Sequence, residues 1–141
     1  MADHIAARHL LTEQHGPTNL LFDETGNRAA GDMIRDRVPG AIGCTLTASE
    51  DDNQTMANRW SISKANMVTA LLAAIENREL ELADDLDDID AFKAHLSDLR
   101  RKVSNMGKAT FNAAEGAHDD YVTAAGLAYW ACRNRYLLNR S

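Results

Sequence analysis

The chain is predicted to be an α/β protein, with a few-stranded sheet flanked by helices. Short apolar runs ending in turn residues alternate with longer stretches whose apolar residues fall at helical spacing. At 141 residues the chain has the length of a single ordinary domain, enough to bury one core. Apolar residues make up 45% and charged residues 26% of it, a globular balance rather than a disordered one.

The first element predicted is an amphipathic helix from Ala2 to His15, with Ile5, Ala6, His9, Leu10 and Leu11 as its apolar positions, Asp3 as its cap and Gly16-Pro17 as its stop. A short buried strand follows from Asn19 to Phe22, running into Asp23 and a tight turn at Gly26. The segment "NRAAGDMIRDRV" reads as a second helix, ended by Pro39-Gly40, and "AIGCTLTA" as the next strand. The polar stretch "SEDDNQTMANRW" has no period and reads as an exposed loop. Ser63 then caps a helix in which Met67, Leu71 and Ile75 recur at four-residue spacing. "ELELAD" reads as a brief strand or extended connection, and Asp84 to Ser104 as a strongly amphipathic helix with Phe92, Leu96, Leu99 and Val103 on one stripe. "GKATFNAAEG" reads as extended, and Asp119 or Asp120 opens the last helix. Neither an internal repeat nor a linker divides residues 1–141.

A formal charge of -6 argues against a protein that coats nucleic acid, because counterion release needs clustered Lys and Arg. It leaves room for a nuclease, in which carboxylates gather a divalent metal and the metal faces the phosphate. Cys44 and Cys132 lie in apolar settings without a CxxC partner and are expected to be buried, reduced thiols. No stretch nears the roughly 18 apolar residues of a membrane span, so a cytoplasmic protein without membrane partners is expected.

Two acidic positions stand out. Asp23 ends an apolar strand, where a carboxylate projects into the crevice that α/β proteins use for ligands; the plainer account is an Asx-turn. His118, Asp119 and Asp120 sit together at the mouth of the last helix. One aspartate suffices as a cap, and a second, facing a third at a strand end, would suit magnesium or manganese. The run "ADDLDDID" lacks the glycine and glutamate of an EF-hand loop and reads as a solvated acidic first turn. "GNRAAG" lacks the lysine and hydroxyl residue of a phosphate-binding loop. His4 and His9 do not share a helical face. Arg28, Lys64, Arg100, Arg101 and Lys102 are the cations best suited to contact DNA, and Lys64 stands near a helix start, where the dipole disfavours it.

Three segments together resemble the nuclease domain of phage terminase large subunits. "LLFDETGNRAAGDMIRD" resembles its second acidic motif, "SKANMVTALLAAIENRELEL" its lysine-started helix and short strand, and "EGAHDDYVTAAGLAYWA" its closing His-Asp-Asp triplet and alanine-rich helix. They occur in the family's order over about residues 18 to 135. The resemblance implies a truncated RNase H-like fold of the resolvase and integrase type, cleaving DNA with two divalent ions. It implies that Asp23, Asp119 and Asp120 are catalytic and hold magnesium or manganese. Asp120 would assist Asp119, His118 would orient its neighbours, and Arg28 and Lys64 would steady a phosphate. Asp23 and the Asp119 pair are then expected to meet around ions about 4 Å apart.

The family's first strand, with its first catalytic aspartate, has no counterpart here, and neither does its ATPase motor. Only a helix of about 15 residues precedes the Asp23 strand. Whether the chain is an enzyme is therefore open. The implied activity is metal-dependent cleavage of double-stranded DNA during packaging, with other terminase components as partners. The alternative is a catalytically incomplete prophage remnant or interaction module that keeps the fold core. An unpaired sheet edge would favour self-association into a homo-oligomer. A small α/β protein with an incidental likeness is the remaining reading.

Overall fold

The computed structural model describes residues 1–113 and 120–138, with the side chains of 103–113 excepted. It is α/β, with a four-stranded sheet and helices. The chain divides into two compact units. One comprises Met1–Leu46 and Asp51–Ile62; the other comprises Thr47–Glu50 and the described residues from Ser63 to Leu138.

In the first unit, α1 (Ala2–Glu13) packs on α2 (Arg28–Arg37). Between them in sequence lies β1 (Leu21–Asp23), which pairs in parallel with β2 (Ile42–Thr47). The register is Leu21 to Ile42, Phe22 to Gly43 and Asp23 to Cys44. This is a βαβ unit with α2 as its crossover. Asn27 caps α2, its side-chain oxygen accepting from the Ala30 amide at 3.1 Å. Ala2, Ile34, Val38 and Ala41 form a buried cluster with Ile5, Ala6, Leu20 and Phe22 packed against it. Asp3 is not the cap expected of it: Met1 holds that position, and Asp3 pairs with Arg37 Nε at 2.8 Å.

The polar stretch expected to be a loop holds a β-hairpin instead. β3 (Asn53–Met56) and β4 (Arg59–Ser63) run antiparallel around Ala57 and Asn58, and the sheet order is β1-β2-β4-β3. Asn58 takes a left-handed φ of 58°, a conformation asparagine tolerates better than most residues, and its carbonyl accepts from the Gly43 amide at 2.9 Å. All four residues of β3 are exposed. An edge strand with no buried face shows no apolar alternation, which is why periodicity missed it.

The second unit is helical. α3 (Lys64–Glu76) packs on α4 (Ile89–Ala113) and α5 (Asp120–Arg133), α4 also packs on α5, and a short α6 (Arg135–Leu138) follows. Met67, Val68, Leu71 and Leu72 of α3, Phe92, Leu96 and Leu99 of α4, and Val122, Leu127 and Trp130 of α5 are buried. Gly126 lets α5 approach closely, since a Cβ there would stand 3.1 Å from the Met67 side chain.

Two boundaries differ from expectation: α4 begins at Ile89 rather than Asp84, and it continues through residues 107–113, which read as extended; residues 79–84 are a connection rather than a strand. The acidic run thus precedes the helix, with only Asp90 in its first turn, and Asp88 at φ 61° marks the break. Val103 of the expected stripe lies outside the described side chains. Among the described residues, no helix is long and apolar enough to cross a membrane.

The Ser63 hydroxyl caps α3 as expected, accepting from the Asn66 amide at 3.3 Å. Ser63→Ala removes that acceptor and is expected to lower unfolding free energy by about 1 kcal/mol, read as a shift in urea midpoint at unchanged slope.

Candidate functional site

Asp23 closes β1 at the carboxyl end of the parallel pair, with its side chain exposed. Its Oδ1 accepts from the Thr25 amide at 2.9 Å and from the Thr25 hydroxyl. This is the Asx-turn that strand-end aspartates favour. The Thr25 hydroxyl oxygen in turn accepts from the Leu46 amide at 2.9 Å, which pins the turn to β2. The turn is closed by the Asn27 amide donating to the Glu24 carbonyl at 3.0 Å, with Gly26 at a φ of 73°. Asp23 is therefore a fixed carboxylate on a braced turn.

The next residue does the bracing. Glu24 is only 3% exposed, and a buried carboxylate must be paired to be tolerated. Its Oε2 accepts from Arg35 Nη1 and Nη2, each at 3.2 Å, and its Oε1 stands 3.4 Å from Arg59 Nε. Arg35 comes from α2 and Arg59 from β4, so one carboxylate ties the crossover helix and the hairpin to the end of β1. Arg35 also lies over the Phe22 ring, 5.6 Å from its centroid, a cation–π placement.

Two glycines make room for this carboxylate. A Cβ at Gly43 would stand 2.5 Å from Glu24 Cδ and 2.6 Å from Arg35 Nη1. One at Gly31 would collide with Glu24 Oε2 and stand 3.2 Å from the Phe22 ring. Phe22 and Glu24 thus face α2, and Asp23, alternating between them, is directed to the opposite side of the strand.

Asp32 closes the arrangement at the surface. Its Oδ1 accepts from Arg35 Nη2 at 2.7 Å and from Arg59 Nη2 at 2.5 Å. The Arg35 hydrogen bond above all holds its carboxyl below the usual 3.8; burial opposes it, and the charges of Arg59 and Arg35 add to the lowering. A depressed carboxyl favours the folded state above its ordinary pKa, and that contribution fades as pH falls through the lowered value. Glu24, Arg35, Arg59 and Asp32 were not singled out by sequence reasoning. The available signal was a pair of glycines inside a helix and a strand, each a mark of close approach.

Cys44, paired with Asp23, is fully buried, and burial first, then the charges of Asp23 and Glu24, push its thiol up to about 12. It stays protonated and inert at neutral pH. Cys132, expected to be buried, is exposed instead; it follows the buried α5 stripe by two residues and falls outside it.

The other expected site residues are distributed as follows. Arg28 is exposed at the first position of α2, and Lys64 is buried at the first position of α3. Arg100 pairs with Glu76 at 3.2 Å, and Arg101 pairs with Asp98. Asp120 is exposed at the start of α5, whereas His118 and Asp119 lie outside the described residues. Asp23 belongs to the first unit and Asp120 to the second. Among the described residues, no group of three or more His, Cys, Asp and Glu side chains is arranged to hold a metal ion.

Comparison of the chain with protein-family models, with curated proteins and with solved structures finds no match.

Removing one partner of a buried ion pair strands the others' charge. Glu24→Gln keeps the volume but leaves two guanidiniums facing a neutral amide, and is expected to cost about 3–5 kcal/mol, measured by denaturant unfolding. Destabilisation no greater than that of an exposed Glu→Gln change would show that the carboxylate does not brace the turn.

Proposed function

We propose that the chain is the carboxyl-terminal part of a terminase-type nuclease domain, acting on double-stranded DNA during phage packaging in the host cytoplasm. The observation that supports this best is the setting of Asp23: an exposed carboxylate at the carboxyl end of a parallel strand, on an Asp-Glu-Thr-Gly turn fixed from behind by Glu24. Acids that gather metal for phosphodiester cleavage need such rigidity, because ligand misplacement of even an ångström weakens the assembly.

Asp23 fits a hard cation in its donor type. Both of its described hydrogen bonds fall on Oδ1, and the group is exposed. Magnesium or manganese, held by Asp23 with Asp119 and Asp120, would activate water and stabilise the leaving oxygen. The chain's own residues would do the rest. Asp23 offers a preset carboxylate, Thr25 fixes its rotation, and Arg28, exposed one turn further on, suits a backbone phosphate; Lys64 and His118 are the auxiliary candidates on the second unit.

A second reading is favoured by the place of β1 at one end of the sheet order, an edge that another chain can extend. On this reading the chain is an interaction module that self-associates or joins other packaging components through the edge of β1, the end strand of the sheet.

Nicking of supercoiled duplex DNA in manganese or magnesium separates the two. The nuclease reading expects relaxation by the wild type and its loss in both Asp23→Asn and Asp119→Asn; a folded wild type that leaves the plasmid intact removes support for independent activity. The module reading expects sedimentation equilibrium to give a dimer or larger species at micromolar concentration, and a strict monomer there counts against it.

A further inference from the structure

The charge balance behind the Asp23 turn leaves something over. Arg35 and Arg59 each carry a full positive charge, and the buried Glu24 supplies a single negative one. The balance is made up by Asp32, whose Oδ1 takes Nη2 of both arginines at 2.7 and 2.5 Å. The two carboxylates differ sharply in setting. The Glu24 side chain is 2% exposed and that of Asp32 64%, with the arginines between them at 18% and 16%.

We propose that Arg35 and Arg59 form a binding site for a phosphate oxyanion, which Asp32 fills as an internal stand-in. Glu24 is the fixed back wall: it aligns both guanidiniums and holds them still, so that a donor from each converges on one point at the surface. Converging guanidinium donors on a shared oxygen match the acceptor geometry of phosphate better than that of a lone carboxylate, because a tetrahedral anion offers further oxygens to the remaining N–H groups. Asp32 is easily displaced. Its side chain is mostly exposed, so water can hydrate the carboxylate once it turns away, and the charge it leaves on the two arginines is what an arriving anion takes up. An arriving phosphate restores the balance that Asp32 had kept.

The site uses neither Asp23 nor a metal, so it goes beyond the nuclease reading and is tested independently of it. Two sources share the chemistry: a free phosphate or phosphomonoester, and the phosphodiester backbone of a nucleic acid.

The test follows the Arg35 and Arg59 side-chain N–H resonances of the intact chain during titration with inorganic phosphate and, separately, with a short DNA duplex at low salt. Both resonances are expected to shift together with phosphate in the wild type. Asp32→Asn should tighten phosphate binding by about fivefold, the scale of losing one exposed competing pair. Adding Arg59→Lys, which keeps a cation beside Glu24 but removes the fork, should abolish that gain while circular dichroism reports an unchanged fold. The proposal is overturned if phosphate leaves the two resonances unmoved, if Asp32→Asn binds no tighter, or if the gain survives Arg59→Lys. Given phosphate binding, a duplex that binds far more tightly, with steep salt dependence, identifies the backbone as the source, and a duplex that binds no better identifies a free phosphate.

Discussion

A carboxylate buried at the end of a three-residue strand is the constraint on which the first unit depends. Glu24 cannot stay ionised inside the protein without partners, since desolvating a lone charge costs several kcal/mol. Its partners must come from elsewhere in the chain, and they come from α2 and β4. Hydrophobic contact alone would let α2 settle on the sheet in several neighbouring positions, because such contact is non-directional. The two guanidiniums remove that freedom. They fix where the helix lies along the strand, and the same bonds fix the turn that carries Asp23.

Much of this architecture could be read from residue order. The Ser63 cap, the breaks at Gly16-Pro17 and Pro39-Gly40, and the apolar stripe of α4 from Phe92 to Leu99 all follow from local rules that the fold leaves undisturbed. The hairpin was hidden because β3 buries nothing, and the signal for a strand is the contrast between a wet face and a dry one. The start of α4 was misplaced because acidic residues are favoured in a first turn, and those at 84–88 stop just short of it.

The site was legible in part. Asp23 was visible because it interrupts an apolar run at a turn. Glu24 was not, because an acid beside an acid at a strand end looks solvated, and nothing local shows that Arg35 and Arg59 will close on it from distances of 11 and 35 positions along the chain (35 − 24 and 59 − 24). Such burial is a tertiary fact. Its trace in the sequence is the missing side chain at Gly31 and Gly43, which becomes meaningful once the strand and helix are known to touch.

The close fit around Glu24 also bears on inheritance. Lengthening either glycine crowds the carboxylate, and losing the carboxylate leaves two cations with Asp32 alone to balance them, so drift at any one of Glu24, Gly31, Arg35, Gly43 and Arg59 exposes the others to selection. These five positions should be passed on or replaced as a set, giving descendants of this chain a dispersed signature that outlasts similarity in the loops between them.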